Sequence, residues 1–418
     1  MSALARAGGE LTLDGVSLEG IAREFGTPCY VYSRAAIEAA FRDFDEGLGG
    51  IDHLVCYAVK ANSTLAILHL LQRLGAGFDI VSGGELARVM AAGGRADRVI
   101  FSGVGKSEAE MRMALAAGIK CFNVESEPEL DRLDALAGAA GVRAPVALRI
   151  NPDVDARTHP YISTGMAGNK FGIPHARARA AYRHAAKLPN LRITGIGCHI
   201  GSQILETAPL DEALGKVVEL ADAIAADGIA LAHLDLGGGL GIRYRDDERA
   251  PDVREYCRGL AARLAGRGFQ VIVAPGRAIV GAAGVLLARV EYLKLDKAKR
   301  FAVVDASMSE LLRPALYESW HPIVAVDEGA ARPRGRYDVV GPVCESSDVL
   351  GLDRDLAVAP GDLVAILAAG AYGMAMASNY NSRPRPCEVL VDGGRAVEIR
   401  ARESVESLFA LERRLPGS

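Results

Sequence analysis

A lysine at the end of an apolar run is where this chain first offers chemistry: Leu54 to Val59 leads directly into Lys60, Ala61 and Asn62. The run reads as a buried strand that stops at Lys60. Ser63 then caps an amphipathic helix carrying Leu65, Ile67, Leu68, Leu71 and Leu74. A lysine where a strand becomes a loop has two readings. It snorkels from a core edge with its ammonium in water, or, desolvated by the strand behind it, it holds a carbonyl compound as a Schiff base.

Reactive side chains recur in the same place after later apolar runs. In chain order they are Asp79 with Ser82, Ser102, Glu125, Arg149 with Asn151, His199, the glycines Gly237, Gly238 and Gly239, and Pro275-Gly276-Arg277. Asp79 and Glu125 read equally well as helix caps or surface carboxylates. The runs themselves fall at 54–59, 78–81, 99–101, 121–124, 146–150, 193–199, 232–236 and 270–273, mostly separated by helical patterns such as Glu85 to Ala92 and Glu108 to Ala117. Eight such β/α units over roughly 250 residues suit a (β/α)₈ TIM barrel, whose active sites lie at the C-terminal ends of the strands, better than an open doubly wound sheet.

Strands seven and eight carry the most specific signal. Leu236-Gly237-Gly238-Gly239-Leu240-Gly241 follows strand seven and Pro275-Gly276-Arg277 follows strand eight; bare backbone there lets amides approach an anion, and barrels commonly bind phosphate at this point. One glycine run alone is most often just a turn. A glycine run after strand seven, Pro275-Gly276-Arg277 after strand eight and a lysine after strand one together point to a phosphorylated carbonyl cofactor, pyridoxal 5'-phosphate.

The rest of the chain bounds the function. After Arg277 the pattern changes to strand-like runs, Val285 to Leu293, Phe301 to Val304, Tyr337 to Val340, Leu363 to Leu367 and Glu388 to Val391. The expected division is a barrel over 33–280 and a mainly β domain, barrel- or sandwich-like, over 1–32 and 281–418, joined by a helix from Ser17 to Phe25 and a strand from Cys29 to Tyr32. Lys and Arg number 48 against 52 Asp and Glu, a net charge of −4, which offers no global attraction to nucleic acid or an anionic membrane. The N-terminus is too weakly apolar for a signal peptide and no run is long enough to span a bilayer, so a cytoplasmic protein is expected. Seven scattered cysteines without a CxxC pair argue against a disulfide framework and a zinc site, and no metal is expected. Six sit in apolar or strand-like contexts; Cys344 does not. The loop-like stretch Asn151 to Gly172 is long enough to be functional.

Several motifs together resemble the fold-type III pyridoxal-phosphate decarboxylases: Tyr57-Ala58-Val59-Lys60-Ala61-Asn62, Phe78-Asp79-Ile80-Val81-Ser82-Gly83-Gly84-Glu85, His199-Ile200-Gly201-Ser202-Gln203 and the turn at 237–241. Within that group, Thr158 to Gly165, Asn169 to Gly172, Arg313-Pro314-Ala315-Leu316-Tyr317, Cys344-Glu345-Ser346-Ser347-Asp348, Ala371-Tyr372-Gly373 and Ser378 to Pro386 resemble the diaminopimelate decarboxylase family. The resemblance covers nearly the whole chain. It implies an alanine-racemase-type barrel with a β domain, working as a homodimer whose active sites are shared between subunits. The implied reaction is loss of carbon dioxide from meso-diaminopimelate to give L-lysine.

The resemblance also implies roles. Lys60 would be the Schiff-base lysine, Asp79 and Gly238 would lie in the cofactor site, and His199 would stack on the ring. Ser202, Gly239, Gly276 and Tyr372 would hold the phosphate, where hydroxyls and backbone amides suit a dianion. Arg277, Arg313 and Tyr317, with Tyr372, would grip the distal end of an amino-acid substrate. Cys344 would come from the partner subunit as proton donor, beside Glu345 for the distal ammonium; a cysteine on its own there reads as an inert loop thiol, and its place in a motif with Glu345 and Asp348 reverses that reading.

One position departs from the pattern. The family writes Glu-Pro-Gly-Arg where this chain has Ala274-Pro275-Gly276-Arg277, and the missing glutamate is the partner of the protonated pyridine nitrogen. Cofactor binding through Lys60 with slower decarboxylation is the expectation. An engineered change, a paralogue with altered chemistry and rescue by another residue or water all fit. Two further readings are a pyridoxal-phosphate-binding protein with weakened or altered activity on another amino acid, and a racemase, which would need a second acid such as tyrosine where this chain has Cys344.

Overall fold

The computed structural model describes residues 3–156, 169–296, 299–329 and 331–415. The motif from Thr158 to Gly165 lies outside the described residues. The chain divides into two compact units, Glu38–Arg243 with Glu248–Ile279, and Met1–Ile37 with Tyr244–Asp247 and Val280–Ser418.

The first unit is a closed parallel barrel. Its strands are β1 (His53–Ala58), β2 (Gly77–Ile80), β3 (Val99–Phe101), β4 (Cys121–Val124), β5 (Ala144–Asn151), β6 (Leu191–Gly197), β7 (His233–Asp235) and β8 (Gln270–Val273). Each pairs in parallel with the next, and β8 closes on β1 with Ile272 opposite Leu54. Parallel neighbours need crossovers, and helices such as Leu65–Arg73, Gly83–Ala91 and Glu108–Ala117 supply them. The TIM barrel expected from the spacing of the apolar runs is therefore found, with strand ends displaced by no more than a few residues.

Side chains fill the barrel in layers because residues two apart on a strand point the same way. Leu54, Cys56, Ile100, Cys121, Ala147 and Ile272 form one buried inner cluster. His233 fits beside Gly195, where a Cβ would come 2.3 Å from the ring Nε2, and burial pushes its pKa down to about 4, so it packs as a neutral ring. Two residues further along the strands come Asn123, Arg149, Asp235 and Ala274, next to Asp79 on β2. The layer above the apolar core is thus polar, and this is the end of the barrel where the loops carry Lys60 and His199.

The turn carrying Lys60 differs in detail from the expectation. Strand β1 ends at Ala58, and Val59–Ala61 forms a single 3₁₀ turn. The following helix starts at Leu65 with Thr64, not Ser63, at its cap position and without a side-chain cap bond. Asn62 orders the turn instead: its Oδ1 accepts from the Thr64 amide at 3.1 Å, and its carbonyl accepts from the Tyr57 hydroxyl at 2.9 Å.

The second unit is mainly sheet. The buried strand Cys29–Ser33 runs antiparallel to Gly284–Leu295 and parallel to Cys387–Asp392, at the centre of a nine-stranded sheet. Its alternation is two-sided. Cys29 and Val31 join a core with Leu18, Ile21, Val285, Leu287 and Val389, while Tyr30 and Tyr32 send their hydroxyls to the Glu310 carbonyl at 2.8 Å and the Glu388 carboxylate at 2.6 Å. A small antiparallel sheet, Leu4–Ala7, Glu10–Leu13 and Val16–Ser17, was not legible from composition. Its strands are too short for a period to show, and Gly8-Gly9 and Asp14-Gly15 supply the left-handed turn residues between them. Ser17 ends this sheet and caps the helix Leu18–Phe25, accepting from the Gly20 amide at 2.8 Å.

Candidate active site

Lys60 stands at the mouth of the barrel with its side chain 40% exposed and its Nζ 3.9 Å from Asp79 Oδ2. The ammonium is reachable, and its partner is buried. Burial raises the Asp79 pKa, against the Lys60 charge and a 2.6 Å bond from the Ser102 hydroxyl. Asp79 is therefore neither a helix cap nor a surface carboxylate; Ser82 caps the next helix, accepting from the Glu85 amide at 3.2 Å. Glu85, at the end of the Phe78–Glu85 motif, lies within electrostatic reach of Asp79 and Lys60, and burial pushes its pKa up to about 7.

Glu125 is likewise buried at the barrel mouth. It accepts from Arg149 Nη1 at 2.9 Å and from the amides of Gly103 at 3.1 Å and Gly172 at 2.8 Å. Arg149 also donates to the His199 carbonyl at 3.3 Å and lies over the Phe171 ring, 4.9 Å from its centroid. This pair ties strands β4, β5 and β6 together beside His199. Burial, with the nearby Arg149 and Lys60 charges, holds the His199 pKa well below its usual value. The ring is neutral, and its Nδ1 accepts from the Gly238 amide at 3.3 Å.

The glycine turn after β7 is built of close approaches. Gly237 and Gly239 have φ of +63° and +121°, and a Cβ on Gly238 would lie 2.2 Å from the Ala274 carbonyl oxygen. Gly276 packs under the Lys60 turn, where a Cβ would meet Ala61 at 2.9 Å and Ala58 at 3.1 Å. Arg277 Nη2 donates to the Ser202 hydroxyl at 3.1 Å. Ala274 is buried, with its amide bonded to the Gly237 carbonyl at 2.7 Å. The barrel thus gathers Lys60, Asp79, His199, Ser202, Gly238, Gly239, Ala274, Pro275, Gly276 and Arg277 at one end. A reachable lysine on one side and a side-chain-free turn flanked by a hydroxyl and an arginine on the other fit a phosphorylated aldehyde.

The remaining candidates lie in the second unit. Arg313 is buried at the start of a short helix, Arg313–Tyr317, donating to the Tyr244 hydroxyl at 3.0 Å with His321 Nε2 at 2.9 Å. Tyr372 takes a left-handed φ of +56°. Asp348 roots the loop before it, accepting from the amides of Met308 at 2.6 Å and Val343 at 2.7 Å. That leaves Cys344 exposed at the loop tip, the one exposed cysteine of the seven. Beside it Glu345 accepts from the Tyr380 hydroxyl and, at 3.0 Å, from Ser347 Oγ; the Tyr380 bond leads in holding its pKa low.

The comparisons agree with this chemistry. Residues 34–281 match the pyridoxal binding domain of the pyridoxal-dependent decarboxylases, and pyridoxal phosphate is the cofactor of that class. The chain is 56% identical over 407 residues to the diaminopimelate decarboxylase of Pseudomonas aeruginosa, covering 97% of this chain and 98% of that one. It is 55% identical over 413 residues to that of Vibrio cholerae, covering 98% of each. Among solved structures, diaminopimelate decarboxylase of Helicobacter pylori complexed with L-lysine superposes with a TM-score of 0.90 at 42% identity, over 94% of this chain and 98% of that one. Diaminopimelate decarboxylase from M. jannaschii in co-complex with L-lysine gives a TM-score of 0.94 at 36% identity, over 100% of this chain and 99% of that one. The chain belongs to the diaminopimelate decarboxylase family.

Proposed function

We infer that this protein removes carbon dioxide from meso-2,6-diaminopimelate to form L-lysine. The observation that carries the reading is the barrel mouth: one reachable lysine beside a buried carboxylate, facing a glycine turn, in a chain that aligns end to end with enzymes of this name. Pyridoxal phosphate, when bound, supplies the electron sink for the carbanion that decarboxylation leaves. Lys60 holds the cofactor aldehyde. Ser202, Gly239, Gly276 and Tyr372 hold the phosphate with hydroxyls and amides, and neutral His199 covers the ring without adding a competing positive charge. Arg277, Arg313 and Tyr317 bind the distal amino-acid end, where guanidinium forks suit a carboxylate.

Cys344 returns the proton to the substrate α-carbon, and Glu345 takes the distal ammonium. Both are exposed on one loop tip, as residues offered to a second subunit would be, so the working form is a homodimer with shared sites; its place, as a lysine-forming biosynthetic enzyme, is the cytoplasm. Among the described residues no helix is long and apolar enough to cross a membrane. Ala274 leaves the cofactor nitrogen without a carboxylate from this position, which lowers the rate while leaving binding intact. The test is incubation of the holoenzyme with meso-diaminopimelate: lysine and carbon dioxide should form in equal amounts. Yellow, cofactor-loaded protein that releases neither would instead support a binding protein of the same fold.

A further inference from the structure

Two buried carboxylates stand at the barrel mouth on strands that are not neighbours, Asp79 on β2 and Asp235 on β7, and a chain of side chains joins them. Asn123 Nδ2, on β4, donates to Asp235 Oδ2 at 2.7 Å and to Ser102 Oγ at 3.2 Å. Ser102 Oγ donates to Asp79 Oδ1 at 2.6 Å. The second oxygen of Asp235 accepts from the Gly237 amide at 2.8 Å, and the second oxygen of Asp79 lies 3.9 Å from Lys60 Nζ. Strands β4 and β7 are not neighbours, so the Asn123–Asp235 bond crosses the barrel interior.

Packing does not explain the pair. Asn123 and Asp235 are each only 4% exposed, and burying an amide and a carboxylate is costly where an apolar pair of similar volume would fill the space. The direction of the bonds suggests what they do. Asn123 donates both ways and both carboxylates accept, so neither end shifts without stretching a bond. One end is the carboxylate beside Lys60. The other is the amide where the glycine turn leaves β7.

We propose that Asn123 and Asp235 are positioning residues for the cofactor, holding the turn 237–239 at a set distance from Asp79 and Lys60 through one hydrogen-bonded chain across the barrel mouth. This rests on the reading of the turn and Lys60 as the phosphate and aldehyde ends of the cofactor site. Burial first, and then the Asp79 charge, push the Asp235 pKa up to about 6, while the Gly237 amide and Asn123 counter them. Removing Asn123 therefore loosens both carboxylates together.

The test uses the full-length chain stripped of cofactor and pyridoxamine phosphate as probe. That probe carries the ring and phosphate but no aldehyde, so its binding does not depend on Lys60. Asn123→Leu and Asp235→Asn should each weaken its binding roughly tenfold, the loss of about one buried charge-assisted hydrogen bond, in protein that circular dichroism shows to be folded. The double variant N123D/D235N re-forms the 2.7 Å pair with donor and acceptor exchanged, but the carboxylate it puts at position 123 has no hydrogen to offer Ser102 Oγ, so the chain to Asp79 stays broken and the affinity should stay near that of Asp235→Asn. Folded single variants that bind the probe as tightly as the parent would overturn the proposal, and so would a double variant that recovers the parent's affinity. If Asn123→Leu does not fold, Asp235→Asn and the double variant decide. Lys60→Ala, measured alongside, should lose the visible absorbance of bound pyridoxal phosphate yet keep the probe. Retained absorbance would remove Lys60 from its role and leave the Asn123 and Asp235 result standing separately.

Discussion

Ala274 is the residue at which chemistry and packing pull apart. Its backbone is fully used: the amide bonds to the Gly237 carbonyl at 2.7 Å, and its carbonyl oxygen fills the space a Gly238 Cβ would need. Its side chain is a methyl, where the sequence resemblance implies a carboxylate. Because the backbone role is independent of the side chain, Ala274→Glu should leave the turn intact and add a charged partner for the cofactor nitrogen. A charge-assisted bond at a reacting centre is worth about 3 kcal/mol, so kcat for lysine formation should rise roughly hundredfold with little change in cofactor affinity. Equal rates for the two proteins would show that the site is not impaired. His199 makes the complementary point. A neutral ring whose Nδ1 accepts from Gly238 carries its proton on Nε2, so it orders the turn without opposing a protonated cofactor ring.

At the scale of elements, strand ends and loop roots set the site. Period-two alternation carries several barrel strands from a buried inner residue to a polar one at the mouth, as from Cys121 to Asn123, from Ala147 to Arg149 and from His233 to Asp235. In the second unit one carboxylate clamps two segments. Glu403 accepts from the Arg385 side chain, at 2.7 Å through Nε, from the Arg385 amide at 2.9 Å and from Asn379 Nδ2 at 2.7 Å. Burial pushes the Glu403 pKa up, but these bonds outweigh it and bring it down to about 2. A pKa below the unfolded value of about 4.3 means that the bonds stabilise the fold above that pH and are lost as pH falls through the folded value. Glu403→Gln should therefore melt a few degrees below the parent at pH 7, and the difference should shrink between about pH 4 and pH 2. A gap independent of pH would assign the clamp to shape rather than charge.

At the scale of the whole molecule, the proposed site residues fall in two units. The barrel holds the proposed cofactor ligands apart from Tyr372; the β unit holds Arg313, Tyr317, Cys344, Glu345 and Tyr372. If sites are completed across a dimer, Lys60→Ala and Cys344→Ala chains are each inactive alone. Co-expressed, they should regain about a quarter of parental activity, because about half of randomly paired dimers are mixed and each mixed dimer has one complete site. No activity in the mixed preparation would mean that each chain completes its own site.

Much of this was legible in the residue order. Eight apolar runs, mostly separated by helical patterns and mostly followed by a reactive side chain, point to a barrel with chemistry at one end, because period and run length are local properties that burial enforces. The positions of Lys60, His199 and the two glycine turns at strand ends were readable for the same reason. What local pattern could not decide was which polar residues meet across the barrel. Asp79 and Glu125 read equally as caps, and Asn123 and Asp235 as nothing in particular, until closure of β8 on β1 brought β4 and β7 face to face. The short strands before Ser17 were hidden because a strand of four residues has no measurable period. Sequence determined the elements and the reactive types through short-range sterics and hydrophobic periodicity; only the closed barrel, by joining residues more than a hundred positions apart through a 2.7 Å bond, decided which of them act together.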